Sequence, residues 1–112
     1  MCVVCAEPPE INVTASTASS VEAIVDTSLA LSCHISRGVP RPGVQWLVNG
    51  RPVSANHDAG LVVSDEGQRL DLVGVEVADA GRYTCIAKNS AGVADRDFHL
   101  AVLGTPSSLF LL

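Results

Sequence analysis

The sequence predicts an all-β fold, an antiparallel sandwich or barrel, and three observations carry that expectation. Apolar and polar residues alternate with a period of two along much of the chain, turn-forming residues interrupt that alternation at short intervals, and helical periodicity is nearly absent. The 112 residues suit one domain with a single core. Roughly seven to nine short strands fit that length.

Each strand is read from its alternation. In "LALSCHI", Leu29, Leu31, Cys33 and Ile35 share one face, and Ala30, Ser32 and His34 the other. "VQWLV" groups Val44, Trp46 and Val48. Asn49-Gly50 is a two-residue hairpin signal leading to a short strand at Arg51 to Val53. "RLDLV" sets Leu70 and Leu72 inward, with Arg69 and Asp71 outward. "RYTCIAK" sets Tyr83, Cys85 and Ala87 inward. "DFHLAV" does the same for Phe98, Leu100 and Val102, leaving Asp97, His99 and Ala101 outside. "NSAG", Asn89 to Gly92, joins the last two strands as a hairpin. "VPRPG", Val39 to Gly43, is a loop whose two prolines hold the preceding residues extended. The run "TASTASS" at 14–20 leaves the first-strand region weakly specified.

Composition narrows the function classes. Hydrophobic residues make up 47% of the chain, too many for a disordered segment. Aromatics are scarce, so the core is expected to be Val, Leu and Ile around one or two aromatic anchors. The net charge is −5, and Lys88 is the one lysine, which leaves no basic stripe for nucleic acid. No run approaches a membrane span, so no membrane insertion is expected. The opening "MCVVCA" lacks the basic flank and apolar length of a secretion leader, so any leader would lie outside this sequence. Cys2 and Cys5 form a lone CxxC without two further zinc ligands at suitable spacing, and they read as incidental.

The stretch "DAGRYTC", Asp79 to Cys85, joins a turn to a strand. Gly81 permits a tight turn, Asp79 is placed to accept backbone N–H groups, and Tyr83 precedes Cys85 by two. Upstream, Cys33 and Trp46 stand on inward positions of their own strands. Together with "PPEI" at 8–11, "GVPRPGVQWLVNGRPV" at 38–53 and "FHLAVL" at 98–103, these motifs resemble the immunoglobulin I-set family. The resemblance covers about Pro8 to Leu103; its wording most resembles the repeats of the hemicentin family, extracellular-matrix proteins built from long arrays of such domains, and it is similar also to peroxidasin-like, neural adhesion-receptor and obscurin-like domains. One departure is the turn before "LALSC", where Asp26-Thr27 replaces the usual glycine-containing turn.

The resemblance implies an immunoglobulin-like β-sandwich of two antiparallel sheets joined by one inter-sheet disulfide, Cys33–Cys85. Trp46 and Tyr83 are then core anchors, with the Tyr83 hydroxyl in a tyrosine corner, and Asp79 and Gly81 form the turn before it. It also implies three parts: a linker or preceding-repeat end at 1–7, the domain at 8–103, and a tail at 104–112. The sequence offers no physical account of the apolar Leu109–Leu112. An oxidising, extracellular setting is expected, in the matrix or at the cell surface.

No catalytic residues are assigned. His34 and His99 fall on outward strand positions and His57 in a polar loop, which is the pattern of solvated histidines; no nucleophile elbow, HExxH or phosphate loop is present. Asp65-Glu66 and the pair Asp95 and Asp97 supply too few oxygens for calcium and read as solvated edges, so neither a metal nor a cofactor is expected. "NGR" at 49–51 is explained by its turn. Asn12-Val13-Thr14 is an N-glycosylation sequon. The candidate interaction face is Thr84, Ile86, Lys88 and His99, beside Asp97 and Ala101. The function expected is a non-catalytic extracellular module, one repeat of a tandem array, that binds protein partners in adhesion or matrix, a further copy of itself included. The alternative is an intracellular I-set domain of a sarcomeric or cytoskeletal scaffold.

Overall fold

The alternating segments become ten strands. A computed structural model describes residues 5–53 and 60–104. The strands are β1 (Glu7–Ile11), β2 (Ser20–Ile24), β3 (Leu29–Ser32), β4 (Ile35–Val39), β5 (Gly43–Val48), β6 (Arg51–Pro52), β7 (Leu61–Ser64), β8 (Arg69–Leu72), β9 (Gly81–Asn89) and β10 (Gly92–Leu103). Single 3-10 turns lie at Asp65–Gly67 and Val77–Asp79. A five-stranded sheet runs β2-β10-β9-β5-β6, a three-stranded sheet β3-β8-β7, and β1 pairs with β4. His57 and the loop around it lie outside the described residues, as do Cys2 and the tail from 105 onward.

The core forms where the inward faces of the sheets meet. Leu31, Leu70, Leu72 and Val75 face Trp46, Tyr83, Phe98 and Leu100, all buried. Each such large side chain stabilises the fold by about 1.5–3 kcal/mol. At the centre Cys33 and Cys85 are joined in a disulfide, with Cα atoms 6.4 Å apart. The immunoglobulin-like sandwich with its inter-sheet bridge is therefore the architecture. Cys5 is disulfide-bonded too, so it is not the spare cysteine that the sequence suggested.

The segment at 14–20 has a definite role. β1 pairs antiparallel with β4, whereas β2 pairs parallel with β10, so the connection carries the chain from one pairing to the other. Its polar side chains bond backbone that the ladders leave open. The Ser32 N–H donates to Thr17 Oγ1 at 2.8 Å and the His34 N–H to Ser16 Oγ at 2.9 Å. These contacts sit where the single strand expected through "LALSCHI" divides into β3 and β4. Gln68 serves the same break: its carbonyl accepts from Cys33 N–H at 2.7 Å, and its Oε1 accepts from Ile35 N–H at 2.9 Å.

Asn49 and Gly50 both have positive φ, 50° and 84°, as a two-residue hairpin of this hand requires. Asp26, at φ 72°, occupies a left-handed position in the turn before β3. That conformation suits glycine, and Asp is among the few residues that tolerate it. The shared pairing of Asn89 with Gly92 leaves only Ser90 and Ala91 between β9 and β10.

The start of β1 is tied to that hairpin. Asn89 Nδ2 donates to the Glu7 carbonyl at 2.6 Å and to the Pro40 carbonyl at 3.0 Å. β10 then runs twelve residues to Leu103, where Val25 N–H donates to its carbonyl. At about 3.3 Å per residue β10 spans roughly 36 Å, so the start of β1, tied to the β9–β10 turn, and the end of β10 lie at opposite ends of that strand.

Candidate interaction face

The corner before β9 fixes which way that strand presents its side chains. Asp79 Oδ2 accepts the Glu76 N–H at 2.7 Å, closing the 3-10 turn. The Tyr83 hydroxyl donates to the Asp79 carbonyl at 2.7 Å, which ties the strand back to the turn that precedes it. Burial first, and then the Asp79 carboxylate, push the Tyr83 phenol up to about 12. At Gly81, φ is 148° and a Cβ would lie 2.5 Å from Asn49 Oδ1, so only glycine fits. Asn49 Oδ1 in turn accepts the Arg82 N–H at 2.9 Å. The corner and the β5–β6 hairpin are thus locked together.

With that register set, Tyr83, Cys85 and Ala87 point into the core, and the residues between them cover the outer face of the five-stranded sheet. Across β9 and β10, Arg82 faces His99, Thr84 faces Asp97, Ile86 faces Asp95, and Lys88 faces Val93. On the other flank, Leu47, Gln45 and Gly43 stand opposite Thr84, Ile86 and Lys88. Thr84, Ile86, Lys88 and His99 therefore share one face. Lys88 and His99 are exposed, while Thr84 and Ile86 are half-buried by their neighbours. The Thr84 hydroxyl donates to Asp97 Oδ1 at 2.7 Å. Val93, 57% exposed, joins Ile86 and Leu47 as a third large apolar residue of the face. Arg82, Gln45, Leu47 and Val93 escaped the sequence reading because alternation assigns a side chain to a face but not to a partner strand.

Arg96 departs from the acidic edge that its two neighbours suggested. Asp95 and Asp97 point outward, but the Arg96 guanidinium turns toward the protein, 5.3 Å from the centre of the Phe98 ring, and Nη2 donates to the Thr17 carbonyl at 2.9 Å. It fastens the connection between β1 and β2 to β10.

A shallow cleft of about 240 Å³ lies between β4 and the turn at Asp65–Gly67, lined by Arg37, Arg41, Val44 and Glu66. Arg41 pairs with Glu66 there, and that pair is exposed on both sides. No three His, Cys, Asp or Glu side chains come together to hold a metal ion among the described residues. No helix among them is long and apolar enough to cross a membrane.

Trp46 sits behind this face. Its indole ring lies 5.6 Å from Phe98, and Nε1 donates to the Gly67 carbonyl at 2.7 Å. The inner layer is therefore packed and hydrogen-bonded, and the outer layer is mixed in charge and modest in apolar area.

Comparison with known proteins agrees with this geometry. Residues 12–102 match the immunoglobulin I-set domain family. Hemicentin-1 of Mus musculus is 39% identical over 100 residues, 89% of this chain, and the chain spans about 2% of that protein's length. Myotilin of Mus musculus is 42% identical over 67 residues, 59% of this chain and 14% of myotilin. Among solved structures, the immunoglobulin domains 1–4 of Sidekick-1 superpose with a TM-score of 0.78 at 28% identity, covering 88% of this chain and 25% of that one. The chain belongs to the immunoglobulin I-set family.

Proposed function

We propose that this chain is a non-catalytic extracellular module for cell adhesion or matrix assembly, one repeat of a tandem array that binds other proteins or further copies of itself. The observation that carries this reading is the buried Cys33–Cys85 bridge at the centre of the core. Disulfides form and persist in oxidising compartments. The likeness to hemicentin-1 over most of the chain supports the same setting. The opposite placement of the two ends suits a rod of repeats, with the outer face of the five-stranded sheet left open along its side.

One face of a sandwich this size offers roughly 600–800 Å² per partner, the low end for specific recognition. Repetition then raises avidity, because linked copies make later contacts intramolecular. Beads carrying several tandem copies are expected to adhere to matrix, or to one another, far better than beads carrying one. Ile86→Thr keeps a β-branched side chain on β9 while removing the central apolar contact, and is expected to reduce that adhesion. An aspartate there would stand directly opposite Asp95 and weaken the sheet by like-charge repulsion. Equal adhesion by single and tandem beads counts against the array, and unchanged adhesion of the variant counts against the face.

The second reading is an intracellular scaffold domain, favoured by the 42% identity to myotilin. Thiol labelling of the denatured, unreduced protein from its native cells separates the two. Unreactive Cys33 and Cys85 support the extracellular module, and labelled ones support the scaffold.

A further inference from the structure

Asn12 stands immediately after β1, at the start of the connection to β2. Its backbone N–H donates to the His34 carbonyl at 2.8 Å, so its position is fixed by the sheet. The side-chain oxygen organises the turn that follows. Oδ1 accepts the Thr14 N–H at 3.0 Å, the Thr14 hydroxyl at 2.7 Å and the Ala15 N–H at 3.2 Å. Val13, Thr14 and Ala15 are exposed and Asn12 half-buried. The amide nitrogen Nδ2 donates no hydrogen bond to any described residue. The fold thus uses the oxygen three times and the nitrogen not at all.

We propose that Asn12 carries an N-linked glycan through Nδ2, an inference that rests on the extracellular reading. The donor is an oligosaccharide linked through pyrophosphate to a lipid. Nδ2 bonds to the anomeric carbon, the bond from that carbon to the pyrophosphate oxygen breaks, the lipid pyrophosphate leaves with the bonding pair, and Nδ2 gives up one proton. The product keeps Oδ1 and one N–H. Every hydrogen bond that the side chain makes in the folded domain is made by Oδ1, so the turn survives the modification. Thr14 supplies the hydroxyl that the acceptor triplet requires, and the residue between, Val13, is not proline. Val13 and Thr14 are exposed, so the triplet is open to the modifying enzyme.

The test uses the full 112-residue chain behind a cleavable secretion leader, expressed in animal cells. Treatment with an amidase that releases N-glycans is applied to both cell extract and medium. The expected result is one step of increased mobility, the mass of a single core oligosaccharide, together with conversion of Asn12 to Asp in the released peptide. Thr14→Ala should abolish the shift and Thr14→Ser should keep it. Asn12→Asp retains the oxygen acceptor that holds the turn, so it should lose the shift while keeping the melting temperature of the unmodified Asn12 domain, made in cells whose synthesis of the lipid-linked oligosaccharide is blocked. Translocated chain from either fraction that shows no shift overturns the proposal, and it leaves the extracellular reading standing if the domain is secreted with Cys33 and Cys85 oxidised. Retention of the chain in the cell with those cysteines reduced counts against the extracellular reading whatever the state of Asn12.

Discussion

Replacing Trp46 tests how the core is built. The side chain is 2% exposed, its ring lies against Phe98, and its Nε1–H satisfies the carbonyl of Gly67. Trp46→Ala removes the largest anchor from a core with few aromatics and should cost about 3–5 kcal/mol. A domain of this size has a net stability of about 5–15 kcal/mol, so this one change takes a large share of it. Trp46→Phe separates the two contributions. It keeps much of the apolar volume but leaves the Gly67 carbonyl without its donor, at about 1–3 kcal/mol. Urea unfolding of the oxidised protein, followed by circular dichroism because the tryptophan signal is lost, gives both values. With an m-value of about 2 kcal/mol per molar, the alanine variant should unfold about 2 M earlier. A cost below about 1 kcal/mol for Trp46→Ala would refute the packing described here. Equal costs for alanine and phenylalanine would transfer the role from ring packing to the indole N–H.

The remaining expectations concern the bridge and the corner. Replacing Cys33 and Cys85 together by alanine releases a 52-residue loop and should cost on the order of 4 kcal/mol in the chain-entropy account; an unchanged urea midpoint would reject the bridge as a stabilising element. Tyr83→Phe removes the hydroxyl bond to Asp79 and should cost about 1 kcal/mol by the same unfolding measurement. The Tyr83 phenol is raised from 10.0 to about 12 in the folded state, so its contribution is complete below pH 10.0 and is lost as pH rises through about 12. Phenolate absorbance of this sole tyrosine should titrate late in the native domain and at its ordinary pH in urea, and coincident curves would refute the burial argument. Gly81→Ala forces a side chain at φ 148° against Asn49 and should destabilise by about 1–3 kcal/mol, whereas a neutral effect on melting would show that the corner can relax.

Alternation made the inward faces legible. Leu70 and Leu72, Tyr83 and Cys85, and Phe98 and Leu100 are buried because a strand with one wet side must place every second residue in the core. Turn chemistry was legible for the same local reason, since Asn49-Gly50 has few other conformations available between two strands. What the sequence could not display was partnership. Nothing in "SVEAI" says that β2 pairs parallel with β10, because that contact joins residues far apart in the chain. The break of "LALSCHI" at Cys33 and His34 was hidden for a related reason. It is stabilised by Gln68, Ser16 and Thr17, polar residues whose hydrogen-bonding partners are distant in sequence. Arg96 illustrates the limit on the candidate site. A charged residue between two aspartates reads as surface, yet the Phe98 ring and the Thr17 carbonyl give its guanidinium partners on the inner side.

The mixed face bears on how such a module would work. Arg82 with His99, Thr84 with Asp97, Ile86 with Asp95 and Lys88 with Val93 alternate in charge and polarity along the sheet. Exposed charges on such a surface contribute about 0–1 kcal/mol each to a contact, so no single one gives tight binding. Ile86 and Leu47 are half-buried already and Val93 stands one row from Ile86 on the other flank, which leaves little contiguous apolar area for a partner to cover. Charge complementarity on such a surface selects partners more than it holds them. An isolated domain would therefore discriminate well and bind weakly. In the proposed array, its ends, one beside the β9–β10 turn and one at the last residue of β10, would let copies be joined end to end. Weak, selective contacts repeated along a rod are strengthened by linkage alone, and they are weakened again wherever the links are cut.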